Sequence, residues 1–497
     1  MASYSGPRVL AIGLDAAEAS LVRQLIDQQK LPALSSLLET GRWLNIKSPA
    51  EIGSGTVWPT LMSGTNPGTH GVYSEWSWRP EAMELTRFDG ATITPFWKSL
   101  ADQGVGVGIF DVPFALPIGL TKGFEVCEWW AHDRTGYGLQ INPDKIASLL
   151  KDTAAHPLSK TRFVNTTPNT QWNLDELTGA CVEGVRLRAE LAQRLMSEGQ
   201  PDFSFLVFPE IHRASHHMWH TADPGNSFFH GRQNGSEPTP LLHDVYQAVD
   251  KEIGKLIEGS GPDTTILVFA LHGMRAGLGS PTFLAPWLCE QGFSSVEGLA
   301  SQSWRKRASS ILATLKHHTP DFVKQLYYKT APTAATHKLA RPFMWPIYDW
   351  KKTRAFSLPT DQHGWIRINL QQREAEGIVA ADDYEAVCGE LEDLLRALKR
   401  DDGAPLVRTI IRTAADVEAA LINPLPDLVV HWAEAAFASP LRIKGSAVET
   451  HSVGAKSTGQ HASEGFCIYR GAAEACESIA AKDLGKLMVD ALLYSRT

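Results

Sequence analysis

A chain of 497 residues has room for about three ordinary domains or for one large α/β core with insertions, and a peptide-sized binding module is excluded. With 43% hydrophobic and 21% charged residues the composition is that of a globular protein, and a net charge of −8 argues against a nucleic-acid coat. No window approaches the ~18 uninterrupted apolar residues of a membrane span. Residues 1–8 show no secretory pattern. Cys127, Cys181, Cys289, Cys388, Cys467 and Cys476 form no C-x-x-C pair, so reduced thiols and a cytoplasmic location are expected.

In chain order, an apolar run at 9–13 ends in Leu14-Asp15 and precedes a helical pattern in which Leu21, Leu25 and Ile26 share one face. The same strand-then-polar grammar recurs. Residues 105–110 end at Asp111, 203–208 at Pro209-Glu210, and 264–270 at Leu271-His272-Gly273, with a further run at 427–432. Alternation with helical stretches at 174–198 and 241–258 implies βαβ units around a mostly parallel central sheet. In such sheets ligands bind beyond the carboxyl ends of the strands, which makes the polar residues closing those runs the ones to watch.

Residues 284–354 depart from this pattern and predict a helical insertion between core segments 1–283 and 355–497. Its stretch 304–354 holds eleven basic residues against Asp321 and Asp349, a net +9 that leaves −17 on the rest of the chain. Such a basic excursion suits either a cap over an anionic substrate or a solvated helical surface. Residues 365–370 alternate as a strand, 466–470 supply the last strand, and 483–494 a closing helix.

Three places can carry chemistry. Between Ser54 and Gly71 hydroxyl residues flanked by glycine precede a helical run, a setting that serves either as an N-cap or as an anion site. His212 and His216 stand four apart, so on a helix both imidazoles leave one face, as two ligands of one ion do. His272, beside Gly273 at a strand end, and His461, in T-G-Q-H-A-S-E-G, are better placed for a ligand than for packing. Trp76, Trp78, Trp129 and Trp130 can stack on a base or sugar ring or fill a core.

These residues occur in a familiar order. G-L-D at 13–15, S-x-x-x-W-x-x-x-x-S-G-x-x-P-x-x-H-G at 54–71, H-x-x-x-H at 212–216, H-G-M at 272–274 and G-x-H-x-x-x-G at 459–465 resemble the type I phosphodiesterase/nucleotide pyrophosphatase branch of the alkaline phosphatase superfamily. The resemblance implies an alkaline phosphatase-like α/β fold and a hydrolase of phosphodiester or phosphoric anhydride bonds in small molecules. It also implies divalent metal ions and a covalent phosphoserine. Carried over by position, Asp15, Ser54 and His272 hold one ion, and His212, His216 and His461 the other. The resemblance makes Ser54 the nucleophile, since it lies nine residues before Ser63-Gly64, the spacing the family keeps, with Thr56 as the nearby alternative.

Two departures stand out. Leu271 occupies the place of the family's Asp before His-Gly-Met, and His212 that of the first Asp of D-x-x-x-H. An imidazole-rich set with Asp15, and Glu210 as a second carboxylate, favours zinc over harder cations. Asp361 or His363 is a candidate substitute for the missing carboxylate. No C/S-x-P-x-R motif is present, which speaks against a sulfatase. A phosphomutase on the same fold and a ligand-binding relative that has lost part of the metal site remain as alternatives.

Overall fold

A computed structural model describes residues 6–87, 92–131, 138–159, 174–223, 240–277, 281–296, 346–359, 362–437, 441–450, 458–472 and 476–494. The chain divides into two compact units. The first comprises Met1–Ser77, Arg87–Gly279 and Val453–Thr497.

Its centre is a nine-stranded sheet. Five adjacent strands, Thr265–Ala270, Val9–Leu14, Phe203–Phe208, Val107–Phe110 and Gly123–Cys127, run parallel in that order. Glu464–Arg470 joins Thr265–Ala270 antiparallel, followed by Arg42–Lys47 and Ser478–Ala480, and Gln140–Asn142 closes the other edge. Every residue of Val9–Leu14, Phe203–Phe208 and Thr265–Ala270 is buried. That explains why the sequence shows apolar runs here rather than alternation: parallel strands are covered on both faces.

Side chains still alternate between the faces. Leu10, Ile12, Leu206, Phe208 and Val268 join the core beneath the helices Leu174–Gly199 and Leu241–Glu258. Val9, Ala11, Phe205, Val207 and Phe269 join the opposite core, formed with the helices Val57–Ser63, Trp97–Asp102 and Ala481–Tyr494. Burial of each large apolar side chain contributes roughly 1.5–3 kcal/mol. The sheet is thus a rigid platform, and its loops at the carboxyl ends are free to carry chemistry.

The second unit comprises Trp78–Thr86 and Ser280–Ser452. Ala355–Leu358, Gly364–Ile368, Leu428–Trp432 and Val407–Arg412 form an antiparallel sheet in that order. The helices Leu284–Glu290 and Tyr384–Ala397 share a core with it. Beneath runs a buried ionic network in which Arg373 pairs with Asp427 at 2.7 Å and Arg367 with Glu374 at 2.7 Å.

The boundary therefore differs from the expected one. Residues 355–452 belong with the segment from 280 onward rather than with the parallel core, and the run at 427–432 is an antiparallel strand, not another βα unit. A buried apolar run of five residues has the same pattern in either sheet, so its partner is decided by contacts distant in sequence. Of the basic stretch read as a cap, residues 304–345 lie outside the described residues. Tyr348 and Trp350, near its end, pack on Phe356 in the second unit.

Candidate metal centre and active site

The site is built where the parallel strands end. Asp15 follows Val9–Leu14, its N–H donating to the Phe208 carbonyl at 3.1 Å, and Ala16 turns the chain at φ 57°. Its carboxylate is 1% exposed and occupied on both oxygens. Trp58 Nε1 donates to Oδ1 at 3.1 Å, and His212 Nδ1 lies 2.7 Å from Oδ2.

Phe203–Phe208 ends at Pro209, and the helix Glu210–Ala222 starts at once. His212 and His216 lie one turn apart on it, as their spacing predicts. His212 Nε2 is 3.0 Å from His216 Nε2 and 2.8 Å from His461 Nε2. The three side chains offer ligand atoms all within 4.8 Å of one another. His216 Nδ1 donates to the Gly459 carbonyl at 2.9 Å, since a carbonyl oxygen only accepts. That bond, and the His212 bond to Asp15, put the ring protons on Nδ1 and turn the Nε2 lone pairs toward the common centre. The oriented lone pairs suit a divalent ion.

His461 and His272 arrive on a two-stranded ribbon. Gly459–Ala462 pairs antiparallel with Gly273–Ala276, with His461 opposite Met274. The His272 ring stacks on His461 at 4.9 Å between centroids and meets His212 edge-on at 5.8 Å. His272 is 2% exposed, and its Nδ1 has no hydrogen-bond partner among the described residues.

Two glycines of the motifs are explained by close approach. A Cβ on Gly459 would lie 2.3 Å from the Ser215 carbonyl oxygen, so only glycine lets this strand lie against the histidine helix. A Cβ on Gly273 would lie 2.1 Å from Glu18 Oε2. Glu18 accepts the Met274 N–H at 3.0 Å and caps its own helix through Ser20, pinning the loop that carries His272.

Burial dominates the electrostatics. It holds His212 well below the ordinary imidazole range, lowers His272, and brings His216 down to about 4, so these rings are neutral at pH 7 and able to coordinate. Burial raises Asp15 to about 6, opposed in part by His272.

These shifts set the acid sensitivity of the metal-free protein. His70, His216 and His243, each lowered from 6.5 to about 4, take up protons on unfolding but not while folded. Their contribution is complete above pH 6.5 and is lost as pH falls toward 4. Asp15 has the opposite sign between 3.8 and about 6, and burial raises Glu18 and Asp250 as well. Against these three carboxyls stand seven lowered histidines among the described residues, His156, His212, His217 and His272 being shifted the same way as the three above. Melting temperatures of chelator-treated protein are expected to fall between pH 6.5 and pH 4; a flat profile would contradict this assignment.

Ser54 opens a single turn, Ser54–Thr56, ahead of the helix Val57–Ser63. Trp58 on that helix is bonded to Asp15, which anchors the segment to the strand end. The Ser54 side chain is partly exposed. Thr56 is fully buried, and its hydroxyl donates to the Gly53 carbonyl at 2.7 Å, an arrangement that suits a structural hydroxyl better than a nucleophile.

The remaining candidates lie away from the histidines or outside the described residues. Glu210 does not join the histidines: two positions from His212 on a helix is the other side, where its Oε1 meets Arg188 Nε at 2.8 Å and His156 Nε2 at 3.1 Å. Burial pushes this carboxyl up, and Arg188 and His156 more than offset it, holding it below its usual range. Trp129 and Trp130 pack on His156, and Trp78 packs on Trp350 and Phe356 within the second unit. Asp361 lies outside the described residues, and His363 stacks on His431 in the second unit at 4.3 Å.

Sequence reasoning brought Asp15, His212, His216, His272 and His461 to one place. It missed Glu18 and Trp58 as their supports, and the buried group of Arg188, Asp111 and His156. For Trp58 a signal existed, since it is the fixed W of the 54–71 motif.

No curated protein matches the sequence. Among solved structures, phosphonoacetate hydrolase from Sinorhizobium meliloti 1021 in complex with phosphonoformate is similar over 98% of this chain and 97% of its own, at 13% identity and a TM-score of 0.52. An inactive form of murine ectonucleotide pyrophosphatase/phosphodiesterase 5 in complex with AMP matches over 98% and 95%, at 12% identity and a TM-score of 0.47. The first of these likenesses supports the alkaline phosphatase-like fold. The profile of type I phosphodiesterases and nucleotide pyrophosphatases matches residues 9–454, and the chain belongs to this family of phosphoric ester hydrolases.

Proposed function

We propose that the protein is a metal-dependent hydrolase of phosphodiester or phosphoric anhydride bonds in small molecules, with Ser54 as the nucleophile. The observation that carries this reading is the convergence of the His212, His216 and His461 nitrogens at the carboxyl end of the parallel sheet, beside Asp15. Three imidazoles with two fixed tautomers fit a zinc-like ion better than magnesium or calcium, which prefer oxygen ligands.

A bound divalent ion supplies positive charge for phosphoryl oxygens and favours the ionised form of a nearby hydroxyl. The chain's own residues do the rest. Ser54 Oγ bonds to phosphorus as the leaving oxygen departs, and water then cleaves the phosphoserine ester and restores the hydroxyl. Gly53 and the Thr56 hydroxyl hold the turn that presents it. Trp58 couples that turn to Asp15, and Asp15 in turn orients His212.

The substrate class follows from the family, and phosphonoformate, bound by the similar hydrolase, is a small anion of related chemistry. Six free cysteines, four of them buried, suit a reducing cytoplasmic compartment. Among the described residues no helix is long and apolar enough to cross a membrane.

Turnover of an aryl phosphodiester tests the proposal. Activity is expected to vanish after chelation and to return with Zn²⁺, releasing a monoester or phosphate. Full activity in chelator would refute metal dependence. Transfer of phosphate with total phosphoester conserved would identify a mutase, and no turnover with any divalent metal would identify a ligand-binding relative.

A further inference from the structure

We infer that the centre takes a single divalent ion on His212, His216 and His461, with Asp15 outside the coordination shell as the residue that positions His212. This rests on the metal reading proposed above and departs from the two-ion site that family resemblance implies.

The donors fit one ion. The three Nε2 atoms face one another, with His212 Nε2 3.0 and 2.8 Å from the other two. The outer nitrogens of two of the rings are already engaged, His212 Nδ1 by Asp15 and His216 Nδ1 by Gly459. A carboxylate or carbonyl accepting the remote ring proton is the usual support of a metal-bound histidine.

The donors do not fit a second ion. Of the residues the resemblance assigns to it, His272 offers an Nδ1 unpartnered among the described residues and Ser54 a hydroxyl, so the compensating charge would rest on Asp15, one of whose oxygens already receives Trp58 Nε1 and the other His212 Nδ1. The position from which the family brings a further carboxylate is Leu271, which is 1% exposed and packed in the apolar core with Val57, Trp58 and Leu61. Glu210 is committed to Arg188 and His156. Around these four imidazoles the described residues leave one carboxylate, a single negative charge, to compensate two dications in a buried site, where uncompensated charge is strongly disfavoured. His212 in place of the family's aspartate points the same way: it adds a neutral nitrogen to one ion and removes the charge that would have helped hold two.

The experiment is a count of ions, independent of turnover. Chelator-stripped protein is titrated with Zn²⁺ calorimetrically, and the product is dialysed and measured by elemental analysis. One ion per chain is expected, and cobalt in its place should give the intense visible bands of a four-coordinate site. Asp15→Asn retains an acceptor for the His212 N–H, so it should keep one ion per chain with affinity weakened about 10–100-fold. His461→Ala should abolish binding. Leu271→Asp is expected to raise the count toward two. Two ions on the unaltered chain would overturn the single-ion inference while leaving metal dependence standing; no ion at all would overturn both.

Discussion

Ser54→Ala is expected to reduce turnover of an aryl phosphodiester by about 10³-fold or more, with the melting temperature unchanged within a degree or so. Loss of a nucleophile removes the covalent route altogether, and such changes cost on the order of 10⁴–10⁶-fold in hydrolases that use one. Ser54 is partly exposed at the start of a turn, so truncating it to alanine should cost little stability. Thr56→Ala should behave in the opposite way. Its hydroxyl is buried and bonded to the Gly53 carbonyl, so its loss should cost roughly 1 kcal/mol of stability with activity within a few-fold of the parent. Initial rates and thermal melts of the two variants decide between them. Full activity in Ser54→Ala together with loss of turnover in Thr56→Ala would transfer the nucleophile to Thr56.

The contrast between those two hydroxyls shows where sequence reading stops. Spacing within a motif singled out Ser54 and Thr56, and only the fold distinguishes a buried hydroxyl with a fixed acceptor from a partly exposed one. The histidines were legible for local reasons: His212 and His216 through helical periodicity, His272 through its place after a buried strand. His461 was found through the glycine spacing around it, and Gly459 proves to be what brings its strand against the helix. Asp15 was legible as a residue at a strand end, but its partners were not. The bonds to Trp58 and His212 span 43 and 197 positions.

Two errors share a cause. Glu210 stands beside His212 in the sequence but lies on another side of the helix, and the run at 427–432 looks like a parallel core strand but pairs antiparallel in the second unit. Proximity and apolarity are local properties, while the partner of a side chain or strand is set by contacts made over long distances. The same limit hid the buried ion group behind the histidine helix, whose members come from positions 111, 156, 188 and 210.

That group carries the largest expected effect on stability. Arg188 is fully buried and donates to Asp111 Oδ2 at 2.7 Å, Glu210 Oε1 at 2.8 Å and the Trp130 carbonyl at 2.9 Å. Asp111 also accepts the N–H groups of Trp129 and Trp130 at 2.7 and 2.8 Å, which fixes the chain beyond Gly123–Cys127. Arg188→Met keeps most of the volume but leaves two buried carboxylates without their cation. Removal of one partner from a buried ion pair costs about 3–5 kcal/mol, and a denaturant titration should show a loss of that order. Arg188→Lys should recover little, because one ammonium cannot span three acceptors held by a planar guanidinium. Glu210 is the first residue of the helix that presents His212 and His216, so a loosened Glu210 should weaken zinc binding as well. A variant that melts with the parent and binds zinc equally tightly would show that the carboxylates had found other partners and that the helix is held by packing alone. If both properties decline together, the ion group is what fixes the histidine helix against the end of the sheet.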